Sequence, residues 1–257
     1  MRWFALPLAL ALAFLVLPVL AIFLDSPPGE LLGALGEPGA LDALWLSLRT
    51  SVTALAIIVV VGTPAAYLLA TCRFRGRALL ITLIELPLVL PPAVAGIALL
   101  AAVGPSGILG GAIEDAGVRL TFETAGVVVA LTFVAAPYYL RQAQAGFAAL
   151  DPSWLEASRT LGASPARTFA RVAVPTAAPG LVTGGALALG RALGEFGATL
   201  MFAGSLAGVT QTAPLAIYER FATDFEAALA LSAVLIAVSA AILLAVKLVE
   251  GDALRHG

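Results

Sequence analysis

The sequence predicts an all-α polytopic membrane protein with six spanning helices in one domain, and three observations carry that prediction. Mean hydropathy is +1.02. Hydrophobic residues make up 61% of the chain and charged residues 12%. Soluble domains carry about 25% charged residues, so half that share suits a lipid environment. The third observation is that basic and acidic connections alternate along the chain.

A bilayer core about 30 Å thick needs roughly 20 mostly apolar residues at about 1.5 Å each. Segments 3–24, 44–70, 78–103, 124–140, 176–203 and 227–249 meet that test. The first is read as an anchor: its apolar run is too long for a signal core, and no small-x-small cleavage site follows. Arg73, Arg75 and Arg77 follow the second segment, and Arg141, Arg159, Arg167 and Arg171 follow the fourth. Arg2, Lys247 and Arg255 mark the termini. The other connections are acidic: Asp25, Glu30, Glu37 and Asp42, then Glu114, Asp115 and Glu123, then Glu219, Asp224 and Glu226, with Arg119 and Arg220 as exceptions. The positive-inside rule puts both termini and both basic loops in the cytoplasm. Ser26-Pro27-Pro28-Gly29 and Gly104-Pro105-Ser106-Gly107 read as outer turns.

Cys72, His256 and Lys247 are the sole cysteine, histidine and lysine. They allow no intrachain disulfide, no Ser-His-Asp triad and no Cys/His metal set. No catalytic residue and no metal site is expected, and no P-loop surrounds Lys247. An ion-coupled secondary transporter is a rival reading, although such proteins carry acidic relays in several spans and Glu195 is the one clear deep acid here.

The stretch 141–175 holds the densest local code. Asp151 can cap a helix that begins at Pro152, where the missing N–H costs nothing. Gly162 is a left-handed terminator. Ser164-Pro165 repeats the start signal, and Pro175 is expected to stop the second short helix. Trp154, Ala157 and Leu161 share one face of the first helix, and Arg167 and Arg171 share a face of the second. Physics alone leaves two readings of this helix pair open: docking into a groove on another protein, or lying on the membrane against anionic headgroups.

Glu156-Ala157-Ser158, three residues, Gly162, nine residues, then Val172-Ala173-Val174-Pro175 resembles the EAA loop of ATP-binding-cassette importer permeases. The family pattern is Glu-Ala-Ala, three residues, Gly, nine residues, Ile-x-Leu-Pro. The resemblance implies a type I importer permease fold with its core at about 44–249 of a single domain 1–257, and a cytoplasmic coupling loop at about 141–175. It implies that Trp154, Glu156, Ala157, Ser158, Leu161, Gly162 and Arg167 couple the chain to an ATPase. Partners implied are a second copy of the chain, a cytoplasmic ATPase dimer that holds the ATP and magnesium, an extracytoplasmic oxyanion-binding protein and membrane lipid. No cofactor on this chain and no nucleic-acid partner are expected.

Leu86-Pro87-Leu88-Val89-Leu90-Pro91-Pro92-Ala93-Val94-Ala95-Gly96 and Arg191-Ala192-Leu193-Gly194-Glu195-Phe196-Gly197-Ala198-Thr199 resemble the sulfate and molybdate branch of that family. Gln211-Thr212-Ala213-Pro214-Leu215-Ala216-Ile217-Tyr218 looks most like molybdate permeases. Molybdate, or tungstate, is placed ahead of sulfate or thiosulfate. The fifth segment is crowded with glycine, and Gly180/Gly184 and Gly190/Gly194 have the spacing of close helix contacts. Arg191 and Glu195 lie in the same segment, where an ionisable residue costs about 2.5–3.5 kcal/mol. Two readings stay open, a pair that only holds the fold and a charged gate. Pro91-Pro92 should interrupt the third segment. Pro91, Pro92, Arg191, Glu195 and Thr199 are the candidate pathway residues, and Thr210 and Thr212 are further hydroxyls near the outer face.

Overall fold

A computed structural model describes residues 5–255. Arg2, Trp3 and His256 lie outside the described residues, as do the side chains of Glu30, Lys247 and Arg255. The described chain is helical throughout, in the order α1 (Ala5–Asp25), α2 (Pro28–Gly36), α3 (Ala40–Thr71), α4 (Arg77–Val89), α5 (Pro92–Val103), α6 (Gly110–Asp115), α7 (Thr124–Ala148), α8 (Pro152–Thr160), α9 (Pro165–Thr168), α10 (Val174–Leu193), α11 (Gly197–Ala203), α12 (Ala213–Phe221) and α13 (Phe225–Arg255). A π-helical turn, Phe169–Ala173, joins α9 to α10.

Among the described residues five helical stretches are long and apolar enough to cross a bilayer: Ala5–Asp25, Ala40–Thr71, Thr124–Ala148, Pro165–Leu193 and Phe225–Ala245. The expected third span is instead two helices, of 13 and 12 residues. Each proline pushes the residue before it away from helical angles. Leu90 (ψ 132°) and Pro91 (ψ 137°) are accordingly extended. The break is therefore complete, where the sequence had promised an interruption inside one span. The fifth span starts and ends earlier than expected, because the helix already runs from Pro165, α10 ends at Leu193 and α11 restarts only at Gly197.

The core is built where α7 packs against α3 and α10. Small residues permit this approach. A β-carbon on Gly184 would meet Gln142 Cβ and Tyr139 O at 3.1 Å, and one on Gly180 would meet Gly146 Cα at 3.0 Å. The Gly190/Gly194 pair does not repeat the pattern: nothing surrounds Gly190, and Gly194 faces only the carbonyl of Gly190. Tyr139 is buried in α7, and its hydroxyl bonds Thr63 Oγ1 of α3 at 2.6 Å. Arg77 serves the fold beyond its charge, since its Nε donates to Leu69 O at 2.6 Å near the end of α3.

At the opposite end α2, α12 and the start of α13 form a collar of short helices that the hydropathy pattern does not reveal. Ser47 Oγ accepts the N–H of Ala213 at 2.7 Å. Arg220 of α12 pairs with Glu37 and also donates to Pro38 O. The carboxylate of Glu219 accepts from Gln211. Gly104-Pro105-Ser106-Gly107 is the expected turn, closed by Gly107 N–H to Gly104 O at 2.8 Å.

Candidate coupling loop and paired helix breaks

The loop after α7 is set by local chemistry. Asp151 accepts the N–H of Ser153 at 2.9 Å, and Pro152 opens α8. The backbone N–H of Ser153, and after it the Ser153 side chain, hold the Asp151 carboxyl below the usual carboxylate range. Helix α8 closes in a Schellman turn. Gly162 N–H reaches Arg159 O at 2.9 Å and Ala163 N–H reaches Ser158 O at 3.1 Å. Gly162 has φ +81° and open space where a β-carbon would lie, so backbone conformation alone requires glycine there. Ser164 Oγ then accepts from Arg167 N–H and starts α9.

Pro175 does not stop the second helix. The segment Pro165–Leu193 runs on, with Pro175 in the first turn of α10. The π turn absorbs the proline: Val174 N–H reaches back five residues to Phe169 O, and the ladder resumes beyond the missing donor. Phe169 is held by Tyr67 of α3, with ring centroids 5.0 Å apart, and Tyr67 also meets Phe147 of α7 at 5.3 Å. This aromatic trio ties the loop to two spans. Sequence reasoning did not find it, since its members share no local period.

Of the residues assigned to coupling, Trp154, Glu156, Ala157, Leu161, Gly162 and Arg167 are exposed. Trp154 and Leu161 keep 52% and 88% of their surface, so the apolar face of α8 is uncovered by this chain. The opposite side of α8 is anchored, through Leu155 against the core and through Ser158 Oγ to Thr168 Oγ1 at 3.0 Å. Thr168 is fully buried and was not singled out from sequence.

The candidate pathway residues lie around two helix breaks. Gly197 approaches Pro92 so closely that a β-carbon there would lie 2.7 Å from Pro92 Cβ. One turn further on, a β-carbon on Gly96 would meet Met201 Cβ at 2.6 Å. The α4/α5 break therefore lies against the α10/α11 break. Pro91 and Pro92 are exposed at this seam, and Thr199 is buried with no partner for its hydroxyl. Glu195 is 1% exposed; it pairs with Arg191, and its Oε1 accepts from Ala198 N–H at 2.6 Å at the start of α11. A carboxylate suits that position, because a helix N-terminus carries partial positive charge. Arg191 keeps about a quarter of its side chain exposed. Of the outer hydroxyls, Thr210 is buried and accepts from Leu206 N–H, so its oxygen serves its own loop. Glu85 of α4 pairs with Arg141 of α7 at 2.9 Å, with both side chains partly exposed.

The comparisons with known proteins agree on the architecture. Residues 59–253 match the family model of the binding-protein-dependent transport system inner membrane component. The chain is 42% identical to the molybdenum transport system permease protein ModB of Mycobacterium bovis, over 95% of this chain and 93% of that one. It is 35% identical to the sulfate transport system permease protein CysT of Salmonella typhimurium, over 74% and 69% of the two chains. Among solved structures, a bacterial ABC transporter involved in alginate import superposes with a TM-score of 0.76 at 15% identity, covering 98% of this chain and 94% of that one. The MetNI methionine transporter in an inward-facing conformation gives 0.66 at 17% identity, covering 83% and 95%. With its broken spans and a family match over most of its length, the chain belongs to the multi-pass inner-membrane components of binding-protein-dependent transport systems, the permeases of ATP-binding-cassette importers.

Proposed function

We propose that this chain forms one half of the membrane pathway of a molybdate importer. The observation that carries the cargo is the 42% identity to a molybdenum permease over 95% of the chain. The sulfate permease relative is less identical and matches a shorter stretch. Tungstate shares molybdate's tetrahedral dianionic form and is expected to follow the same route. As a permease the chain is a transport subunit and not an enzyme, and it works with an ATP-hydrolysing subunit and a solute-binding protein. A second copy of the chain completes the pathway about a two-fold axis, and both termini and the 141–175 loop face the cytoplasm.

The uncovered face of Trp154, Ala157 and Leu161 seats in the ATPase, with Glu156 and Arg167 at its rim. Closure of the ATPase dimer around ATP moves α8. The Ser158–Thr168 bond and the aromatic trio pass that motion to α10, α3 and α7. The seam of helix breaks then opens to alternate sides, in keeping with the use of discontinuous helices at transport sites. Arg191 is positioned to meet a passing dianion, and Glu195 keeps that contact weak enough for release. The test is ATP-dependent uptake of labelled molybdate by the complete reconstituted complex, with sulfate as competitor. Uptake displaced by tungstate but not by equimolar sulfate is expected. Uptake of sulfate in preference to molybdate would overturn the cargo assignment, and uptake that ignores ATP depletion but collapses with the ion gradient would overturn the mechanism.

A further inference from the structure

Between α3 and α7, near the collar end, lies a cavity of about 450 Å³. Arg49, Thr53 and Thr124 line it together with Ile57, Val128 and Val129. Arg49 makes no ion pair and no side-chain hydrogen bond among the described residues; the ion pairs described use Arg141, Arg191 and Arg220. A lone guanidinium beside an apolar groove on a spanning helix is costly unless an anion or water meets it.

Depth along α3 identifies the anion. The helix ends at Thr71, just before Arg73, Arg75 and Arg77. Roughly 20 residues cross the hydrocarbon, so counting back from that basic cluster reaches about Ser51. Arg49 then stands at the level of lipid phosphates on the far side. Trp45, one turn beyond Arg49, is 64% exposed, as an interfacial aromatic would be. On the membrane side of Arg49, Val52, Ile57 and Val60 are exposed and apolar.

We infer that this cavity holds a phospholipid of the outer leaflet, with its phosphate on Arg49 and an acyl chain along Ile57, Val128 and Val129. The same chemistry, a tetrahedral oxyanion on a guanidinium, would describe transported molybdate. The hydroxyls argue for the lipid. Thr53 donates to Arg49 O and Thr124 donates to Val209 O, so neither has a proton left for the ligand. Arg49 is then the sole charged donor. One donor suits a phosphate that stays half-hydrated at the interface, whereas a free dianion stripped of water needs several. The choice of leaflet rests on the sidedness proposed above; the site itself does not.

The test is native mass spectrometry of the purified, delipidated transporter complex titrated with phosphatidylglycerol. Retention by the wild type is expected to fall about tenfold in Arg49→Gln, the loss of a charge-assisted bond to phosphate. Arg49→Lys should recover most of it. Ala125→Leu fills the cavity from the exposed start of α7 and should also displace lipid, without touching the charge. Unchanged retention in Arg49→Gln overturns the site, as does displacement of the lipid by molybdate. Dissociation of Arg49→Gln into single permease copies overturns it too, because the face would then be a subunit interface. Molybdate uptake is measured on the same wild-type preparation: lipid retention without uptake would defeat the cargo reading and leave the lipid site standing.

Discussion

Substitution at Gly162 tests the coupling assignment most directly, because the residue has a purely conformational role. Its φ of +81° lies in the left-handed region, and a β-carbon added there would meet no atom within 4 Å. Gly162→Ala therefore adds no clash and costs only the left-handed penalty, about 1–2 kcal/mol. A loop held by that margin still forms in most molecules, and ATP-driven uptake should fall by a few-fold at most. Gly162→Asn should be milder, since asparagine tolerates this conformation. Gly162→Pro is different in kind. Proline fixes φ near −65° and has no N–H. It loses the bond to Arg159 O and the geometry that brings Ala163 N–H to Ser158 O. Two hydrogen bonds at about 1 kcal/mol each, together with the wrong backbone region, exceed what a solvent-exposed turn can absorb. The assay is paired ATP hydrolysis and molybdate uptake in proteoliposomes, with membrane assembly checked by size exclusion. Gly162→Pro should assemble yet fail to couple hydrolysis to uptake. Wild-type uptake in that variant would refute the reasoning, and so would equal loss in Gly162→Ala and Gly162→Pro.

Further outcomes follow from other contacts. Gly197→Leu and Gly96→Leu should each lower thermal stability in detergent, by about 1–3 kcal/mol or more for overpacking, because even a β-carbon there lies under 3 Å from a neighbour; Gly185→Ala, with open space around it, should be neutral. Arg191→Gln leaves the buried Glu195 without its cation and should cost about 3–5 kcal/mol, while Arg191→Gln combined with Glu195→Gln should recover part of the melting temperature; equal losses in the single and double variants would contradict the pairing. Ser158→Ala removes the bond to buried Thr168 and should weaken coupling at an expense of about 1–3 kcal/mol, read as ATP hydrolysis that persists with reduced uptake. The Asp151 carboxyl, with its folded pKa depressed by Ser153, stabilises the loop above the ordinary aspartate value and loses that contribution as pH falls through the folded value. Its titration by carbon NMR should lie below the ordinary aspartate range, and a midpoint within or above that range would sink the cap.

Legibility from sequence tracked how local the chemistry was. Asp151-Pro152, Gly162 and Ser164-Pro165 announced their turns because caps are written in neighbouring residues. Pro175 misled for the opposite reason. Its accommodation depends on a five-residue hydrogen bond at Phe169, and that turn is seated by Tyr67, about a hundred positions earlier in the chain. Pro91-Pro92 gave the location of the third-span break, but its completeness follows from two consecutive pre-proline positions acting together. The break at Gly194-Glu195-Phe196 was masked by the apolar run around it, although a buried acid beside two glycines was a usable signal. The collar helices α2 and α12 are too short for a hydropathy window, yet Pro28 and Pro214 sit in their first turns as start signals. The Ser158–Thr168 bond spans ten residues, which is no helical period, and nothing short of the folded loop could reveal it.

Because the π turn carries the helix past Pro175, Pro165–Leu193 is one continuous helical stretch of 29 residues. At about 1.5 Å per residue it is roughly 40 Å long, and a tilt of about 10° at one tip sweeps the other through roughly 7 Å. Under the coupling proposed above, a tilt begun at the Arg167 end would therefore reach the Arg191 end as a displacement of several ångströms.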